Sequence, residues 1–250
     1  MRLTRVFVDQ ALAGRETLRL TEDAANHVAR VLRLGVGDAL VLFDGRGGEH
    51  AATITQVDKR SVDVAIGAHD ATERESPLRV TLLQGMARGE RMDLIIQKAT
   101  ELGVHAIRPL RALRSSVKLD ATQAPRKLEH WQAVAVSACE QSGRNAVPTV
   151  LPPMTLAEAC AAVDGGLKLM LAIDGARPLS ALLRAADAAT LARGITLLVG
   201  PEGGLDDTEE ATARRAGFAS TLLGPRVLRT ETAPLAALAA LQALAGDFAE

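Results

Sequence analysis

The 250-residue chain contains no tyrosine, one tryptophan and four phenylalanines. Proteins that hold single-stranded RNA by stacking its bases need several aromatic rings, so such a platform is excluded. Cysteine is equally sparse: Cys139 and Cys160 sit in stretches of helical periodicity, with neither a CxxC pair nor a Cys/His spacing suited to zinc. They read as two small apolar thiols of a reduced compartment. No run approaches the roughly 20 apolar residues of a membrane span, and MRLTRVFVDQ at the N-terminus lacks the apolar core of a signal peptide. A cytoplasmic enzyme without membrane contact is the expectation. There is no GxxxxGK phosphate cradle, no strand-turn-helix GxGxxG and no HExxH. Nucleoside triphosphate and dinucleotide readings therefore lose their usual support. With no histidine pair at metal spacing and no aspartate cluster, the reaction is expected to need no metal. The five histidines, His27, His50, His69, His105 and His130, are scattered and suit structural or surface roles.

Excess charge is missing as well. A formal net charge of -1 argues against gripping nucleic acid by bulk electrostatics. The balance is uneven, however: residues 84–147 carry ten Lys/Arg against six Asp/Glu, a local net of +4. Ordinary solvated faces explain that excess as well as an RNA surface does.

What is present is apolar bulk. At 48% hydrophobic, the chain can bury a full core in one large domain or two unequal ones. Its first seventy residues read as strands RVFV (5–8), ALVLF (39–43), EHAATITQV (49–57) and SVDVAI (61–66), separated by Gly/Asp turns. Between them TEDAANHVARVLRL predicts one helix, capped by Thr21, with Ala25, Val28 and Leu32 as its apolar stripe and Arg30 and Arg33 facing away. A β-rich unit of this size suggests a small barrel. The charged stretch HDATERESP (69–77) marks the boundary, giving domains 1–72 and 73–250.

Beyond it strands alternate with helices. LRVTLLQG (78–85), VHAIRPL (104–110), LKLMLAI (167–173), ITLLV (195–199) and STLLG (220–224) read as strands. GERMDLIIQKATELG, residues 125–142, a helix capped by Thr155 and Glu158, LSALLRAADAA, residues 206–216 and APLAALAALQALAGDF read as helices, with Pro234 tolerable in the first turn of the last. In the first of these, Met92, Ile95, Ile96, Ala99 and Leu102 face inward and Gly103 is the stop. This alternation implies an α/β fold with a mainly parallel sheet covered on both faces.

ITLLV and STLLG each run into a glycine-proline loop, LLVGPEGGL (197–205) and LLGPRVLRTETA (222–233). In a parallel sheet both loops leave by the carboxyl edge, where ligands bind. One such loop is explained by turn geometry alone; two at neighbouring strand ends, one carrying Arg229, Thr230, Glu231 and Thr232, favour a site. Glu202 and Glu231 suit a cation better than a pyrophosphate. S-adenosylmethionine carries such a cation, a sulfonium, together with an adenine that backbone groups can read.

At these residues the chain resembles the RsmE family of 16S ribosomal RNA uridine N3-methyltransferases. GPEGGL and LGPRVLRTETA carry the resemblance, joined in order by TEDAANHVARVLRL, ESPL, RGERMD, QKATELGV, VKLD and ACEQSGRN. The resemblance implies a SPOUT-type, mainly parallel α/β sheet with a C-terminal trefoil knot, preceded by a small PUA-like β-barrel that binds RNA, in a homodimer. It implies S-adenosylmethionine as cofactor, held by Gly200, Pro201, Glu202, Gly203, Leu223, Gly224, Leu228, Arg229, Thr230 and Thr232, with Leu171 and Leu198 as apolar neighbours. Pro234 departs from the family pattern at a helix start, where no functional loss is expected.

The substrate atom it implies is uridine N3, a weak acid. Arg229 would stabilise charge on the uracil carbonyl oxygens and Glu231 would act as base. In the competing readings Arg229 pairs with Glu231 to brace the loop, and Glu202 accepts backbone hydrogen bonds. Candidate RNA contacts are Arg30, Arg33, Arg88, Arg114, Lys118, Arg144 and Asn145, whereas Lys98 and Glu101 suit a helix-surface pair. The expected partner is 16S ribosomal RNA within the small ribosomal subunit, with one subunit's barrel guiding it to the other's cofactor. Three alternatives stay open: ribose 2′-O-methylation, an α/β enzyme on another nucleotide ligand, and an RNA-binding assembly factor without catalysis.

Overall fold

The structure is a computed structural model that describes residues 3–120, 122–172 and 175–249. It forms two compact units: one spans Met1–Glu75 and Val136–Val147, the other Ser76–Ala135 and Pro148–Glu250.

The first unit contains β1 (Thr4–Phe7), β2 (Thr17–Arg19), α1 (Glu22–Asn26), β3 (Ala39–Phe43), β4 (Glu49–Val57) and β5 (Val62–Asp70). Among the described residues the strand order is β1-β3-β4-β5-β2, with β1 parallel to β3 and the other pairs antiparallel. Alternation along β3 and β4 sends Leu40, Leu42 and Ile54 into a core shared with Val6, Leu18, Val28 and Val64. Thr21 caps α1 as expected, its Oγ1 accepting from the Ala24 N–H at 3.4 Å. The stripe beyond it is corrected. Residues His27–Val31 form a π turn in which the Leu32 N–H reaches back to the His27 carbonyl. The wider turn rotates the following side chains outward, so Ala25 and Val28 are buried but Leu32 is 38% exposed.

Residues Val136–Val147 belong to this unit through a buried polar bracket. The Arg5 guanidinium donates to Asn145 Oδ1 at 2.6 Å and to the Arg144 carbonyl at 3.0 Å, and pairs with Glu49. Asn145 Nδ2 donates to the Thr72 carbonyl at 2.8 Å, and Arg144 Nε to Glu75 at 3.0 Å. Glu140 accepts from the Phe7 N–H, and burial pushes its carboxyl up despite the opposing pull of that bond, His27 and Arg5.

The second unit contains β6 (Val80–Gly85), α2 (Arg91–Glu101), β7 (Ala106–Arg111), the start of α3 (Ala124–Ser142), β8 (Thr149–Val150), β9 (Met154–Thr155), α4 (Leu156–Ala162), β10 (Leu167–Leu171), β11 (Arg177–Pro178), α5 (Leu179–Ala185), α6 (Ala188–Ala192), β12 (Ile195–Val199), α7 (Asp207–Arg215), β13 (Ala219–Leu222) and α8 (Thr232–Ala245). The sheet order is β11-β13-β10-β12-β6-β7-β8, with β9 also on β7, and the pairings are parallel. Every residue of β12 is buried, as a central parallel strand requires. Capping boxes at Thr155/Glu158 and Asp206/Glu209 start α4 and α7. Gly103 and Gly143, at φ 79° and 91°, follow the ends of α2 and α3. LSALLRAADAA splits into two helices because Asp187 accepts from the Thr190 N–H at 2.7 Å and starts a new one. In α2 the inward set is Met92, Ile95, Ile96, Ala99 and Thr100, while Leu102 at its end is only partly buried. Ile173, expected at the end of a strand, lies outside the described residues. No helix among the described residues is long and apolar enough to cross a membrane.

The topology changes one expectation that bears on the site. β12 and β13 are not neighbours: β10 lies between them and pairs with both. Their loops therefore flank the end of β10. The loop after β12 also presses on β6, where a Cβ at Gly85 would lie 2.3 Å from the Pro201 nitrogen and 2.7 Å from the Gly200 carbonyl carbon. Glycine is needed there because backbone occupies the side-chain position.

Two outcomes follow. Gly85→Ala must displace backbone rather than a flexible side chain, so thermal or urea unfolding should show a loss of about 1–3 kcal/mol; an unchanged midpoint would contradict the close approach. Cys139 and Cys160 are both buried, and burial, the largest influence, pushes the Cys139 thiol up to about 12. A thiol reagent at pH 8 should label either cysteine only slowly in the native protein and both rapidly after unfolding.

Candidate functional site

The carboxyl ends of β10, β12 and β13 open into a cavity of about 630 Å³. Leu171 and Ala172 close the middle, Val199 to Glu202 with Gly204 and Leu205 form one wall, and Thr221 to Glu231 form the other. Of the residues expected to hold a ligand, Leu171, Gly200, Pro201, Glu202, Leu223, Gly224, Leu228, Arg229 and Thr230 line this space, as does Glu231. Leu198, Gly203 and Thr232 are not in the lining. Strand alternation turns Leu198 into the core, where it is fully buried, and brings Val199 to the cavity. Gly203 backs onto Arg114, whose carbonyl oxygen would lie 3.0 Å from a Cβ there, and Thr232 begins α8.

The lining also includes residues that sequence reasoning missed. Pro225, Arg226 and Val227 belong to the second loop and were within reach of a motif argument. Glu210 comes from α7, just after the first loop, while Arg91 from α2 and Arg114 from the segment after β7, the latter expected only as an RNA contact, come from distant segments.

Polar contacts hold the two loops together. Thr230 is buried; its Oγ1 donates to the Gly200 carbonyl at 3.0 Å and accepts from Gln84 Nε2 at 3.3 Å. Gln84 is itself buried at the end of β6, and Nε2 also donates to the Gly85 carbonyl at 2.9 Å. The acids are divided between donors. Glu202 Oε1 accepts from the Arg88 N–H at 3.0 Å and from Arg91 Nη1 at 3.1 Å. Burial raises the Glu202 carboxyl, but the Arg88 N–H, its own N–H and the Arg91 guanidinium outweigh it and hold the group below the usual carboxylate range. Glu231 Oε1 lies 3.8 Å from Arg91 Nε, and Oε2 is buried without a hydrogen-bond partner among the described residues. The bracing cation is therefore Arg91, and no Arg229–Glu231 pair is formed among the described residues.

The proposed RNA contacts divide by exposure. Arg30 and Arg33 are exposed in the first unit; Arg30 donates to the Lys59 carbonyl at 3.1 Å, and Arg33 has a left-handed backbone at φ 59°. Arg88, Arg114 and Lys118 are exposed in the second; Arg88 Nε donates to Ser116, and Arg114 donates to the Leu205 carbonyl at 3.0 Å. Arg144 and Asn145 are only 5% and 0% exposed, and their side chains hold the bracket of the first unit. They are corrected from surface contacts to internal ones, because desolvated guanidinium and amide groups must be bonded within the protein. Lys98 and Glu101 form the expected helix-surface pair at 2.8 Å.

Comparison with known proteins agrees with this architecture. The model of an RNA methyltransferase domain matches residues 74–242, and that of an RNA methyltransferase PUA domain matches residues 20–67. The chain is 34% identical to ribosomal RNA small subunit methyltransferase E of Bacillus subtilis, over 96% of each sequence. It is 35% identical to the protein of that name from Synechocystis, over 91% of this chain and 73% of the relative. The crystal structure of a ribosomal RNA small subunit methyltransferase E from Neisseria gonorrhoeae, bound to S-adenosyl methionine, is similar with a TM-score of 0.92 and 41% identity, covering 99% of this chain and all of that one. A putative methyltransferase from Legionella pneumophila, in complex with the bound cofactor SAM, gives a TM-score of 0.93 at 37% identity, covering 99% and 100%. From its N-terminal PUA-like unit to the loops at the carboxyl edge of its parallel sheet, the chain belongs to the ribosomal RNA small subunit methyltransferase E family.

Proposed function

We propose that this protein methylates N3 of a uridine in 16S ribosomal RNA, with S-adenosylmethionine as methyl donor. The observation that carries the reading is the cavity between the two loops, lined by Glu231 and by Arg229, which lies without a carboxylate partner among the described residues. A volume of about 630 Å³ suits a nucleoside-sized ligand. Leu171, Val199, Leu223 and Leu228 provide apolar walls, the glycine-bearing backbone at Gly200 and Gly224 allows close approach, and the acids Glu202 and Glu231 suit a ligand that brings a positive charge. These residues fit S-adenosylmethionine, with Pro201, Glu202, Gly203, Thr230 and Thr232 shaping the loops around it. When bound, it supplies an electrophilic methyl group and leaves as a neutral thioether.

The chain's own residues then do three things. Arg229 stabilises the negative charge that develops on the uracil carbonyl oxygens as N3 loses its proton. Glu231 accepts that proton. The pinned loops hold base and methyl group in line, which removes most of the entropic barrier. Arg30 and Arg33, with Arg88, Arg114 and Lys118, meet RNA phosphates. The same reading makes 1–72 the RNA-binding domain and 73–250 a SPOUT methyltransferase domain. It places the protein in the cytoplasm as a homodimer, acting on the small ribosomal subunit. It also includes the trefoil knot.

Small subunits lacking the modification should accept labelled methyl, and nuclease mapping should find it on N3 of a uridine. Methyl on a ribose would replace this reading with 2′-O-methylation, and no transfer would leave an RNA-binding factor. Arg229→Ala should lower kcat by about 10²–10³-fold, the scale of losing one donor to a developing oxyanion. Its calorimetric affinity for S-adenosylmethionine should change far less; parallel loss of both would make Arg229 a binding residue only.

A further inference from the structure

Arg91 lies outside both loops, in the first turn of α2, yet its guanidinium reaches each of them. Nη1 donates to Glu202 of the first loop at 3.1 Å, and Nε lies 3.8 Å from Glu231 Oε1 of the second. The Arg88 N–H, one turn earlier, gives Glu202 a second donor at 3.0 Å. A planar guanidinium presents donors in fixed directions, so one arginine can hold two carboxylates on separate segments, whereas a lysine ammonium is a single point charge. Without it, two acids lining one cavity would repel each other and attract Arg229.

We propose that Arg91 is a positioning residue that joins the two loops through their acids, fixes Glu231 by one oxygen, and leaves Arg229 unpaired for the substrate base. What Arg229 and Glu231 then do rests on the methyl-transfer reading; the joining of the loops does not. The Arg91 side chain is 42% exposed and that of Glu202 29%, so the pair adds little to global stability and acts on the local order of the loops.

Hydrogen exchange on the ligand-free protein tests the joining directly. In Arg91→Gln, amides of residues 202–204 and 229–233 should exchange about fivefold faster in both loops, while the unfolding midpoint stays near that of the parent. Calorimetry should show affinity for S-adenosylmethionine weakened about five- to tenfold, with part regained in Arg91→Lys. The Arg91→Gln/Glu202→Gln double variant should lose less affinity than the sum of the two single losses, since the two changes share one bond. Unchanged exchange in either loop, or losses of affinity that simply add, would overturn the proposal. If Arg91→Gln does not fold, Glu202→Gln is read in the same way for its own loop and for affinity. If the parent protein does not bind S-adenosylmethionine, the methyl-transfer reading fails, and the exchange measurement still decides whether Arg91 joins the loops.

Discussion

The carbonyl of Gly200 is held from the second loop by the Thr230 hydroxyl, while the adjoining backbone at Pro201 rests against a glycine at the end of β6. Much of the site depends on that contact. A cradle made of loops has few apolar contacts of its own and would open readily. Here a buried hydroxyl must find partners, because leaving it unbonded costs about 1–3 kcal/mol, and it finds them in Gly200 and Gln84. The need to satisfy buried polar groups thus becomes a fixed spacing between two strand ends separated by β10.

Charge is arranged on top of that frame. Glu202 and Glu231 both line the cavity, and Arg91 compensates both from a helix that belongs to neither loop. The site therefore keeps Arg229 without a carboxylate partner among the described residues, and Glu231 with one oxygen near Arg91 and the other buried without a hydrogen-bond partner among them. Such a combination suits the proposed reaction, in which a weakly acidic nitrogen loses a proton while the neighbouring carbonyl oxygens gain charge. An Arg229–Glu231 pair would have satisfied both groups internally and left less for a substrate.

The first unit solves a different problem. A small five-stranded sheet has a modest core, and this one adds a buried polar bracket of Arg5, Glu49, Arg144, Glu75 and Asn145, with Arg5 Nε left without a hydrogen-bond partner among the described residues. Removing one member of such a set strands a buried charge. The motif ACEQSGRN is part of that bracket. Its Arg and Asn look like RNA contacts when read as isolated polar residues, and burial gives them another use.

The alternation of strands and helices, the caps at Thr21 and Thr155, the glycine stops and the two glycine-proline loops were legible in the chain. Each depends on residues within a few positions of one another, where periodicity and capping chemistry act. Most of the cavity lining was legible for the same reason, being contiguous in two motifs. The π turn that turns Leu32 outward, the insertion of β10 between β12 and β13, and the two-residue strands were not, since pairing is settled by competition among distant segments. Nor was Arg91, which lies 111 residues from Glu202 and is selected by where α2 ends up rather than by its neighbours. By itself the sequence determined which segments form elements and which loops carry chemistry. Which acid meets which arginine, and which polar groups are buried, was decided only by the tertiary fold, because electrostatic pairing and desolvation depend on distance in space.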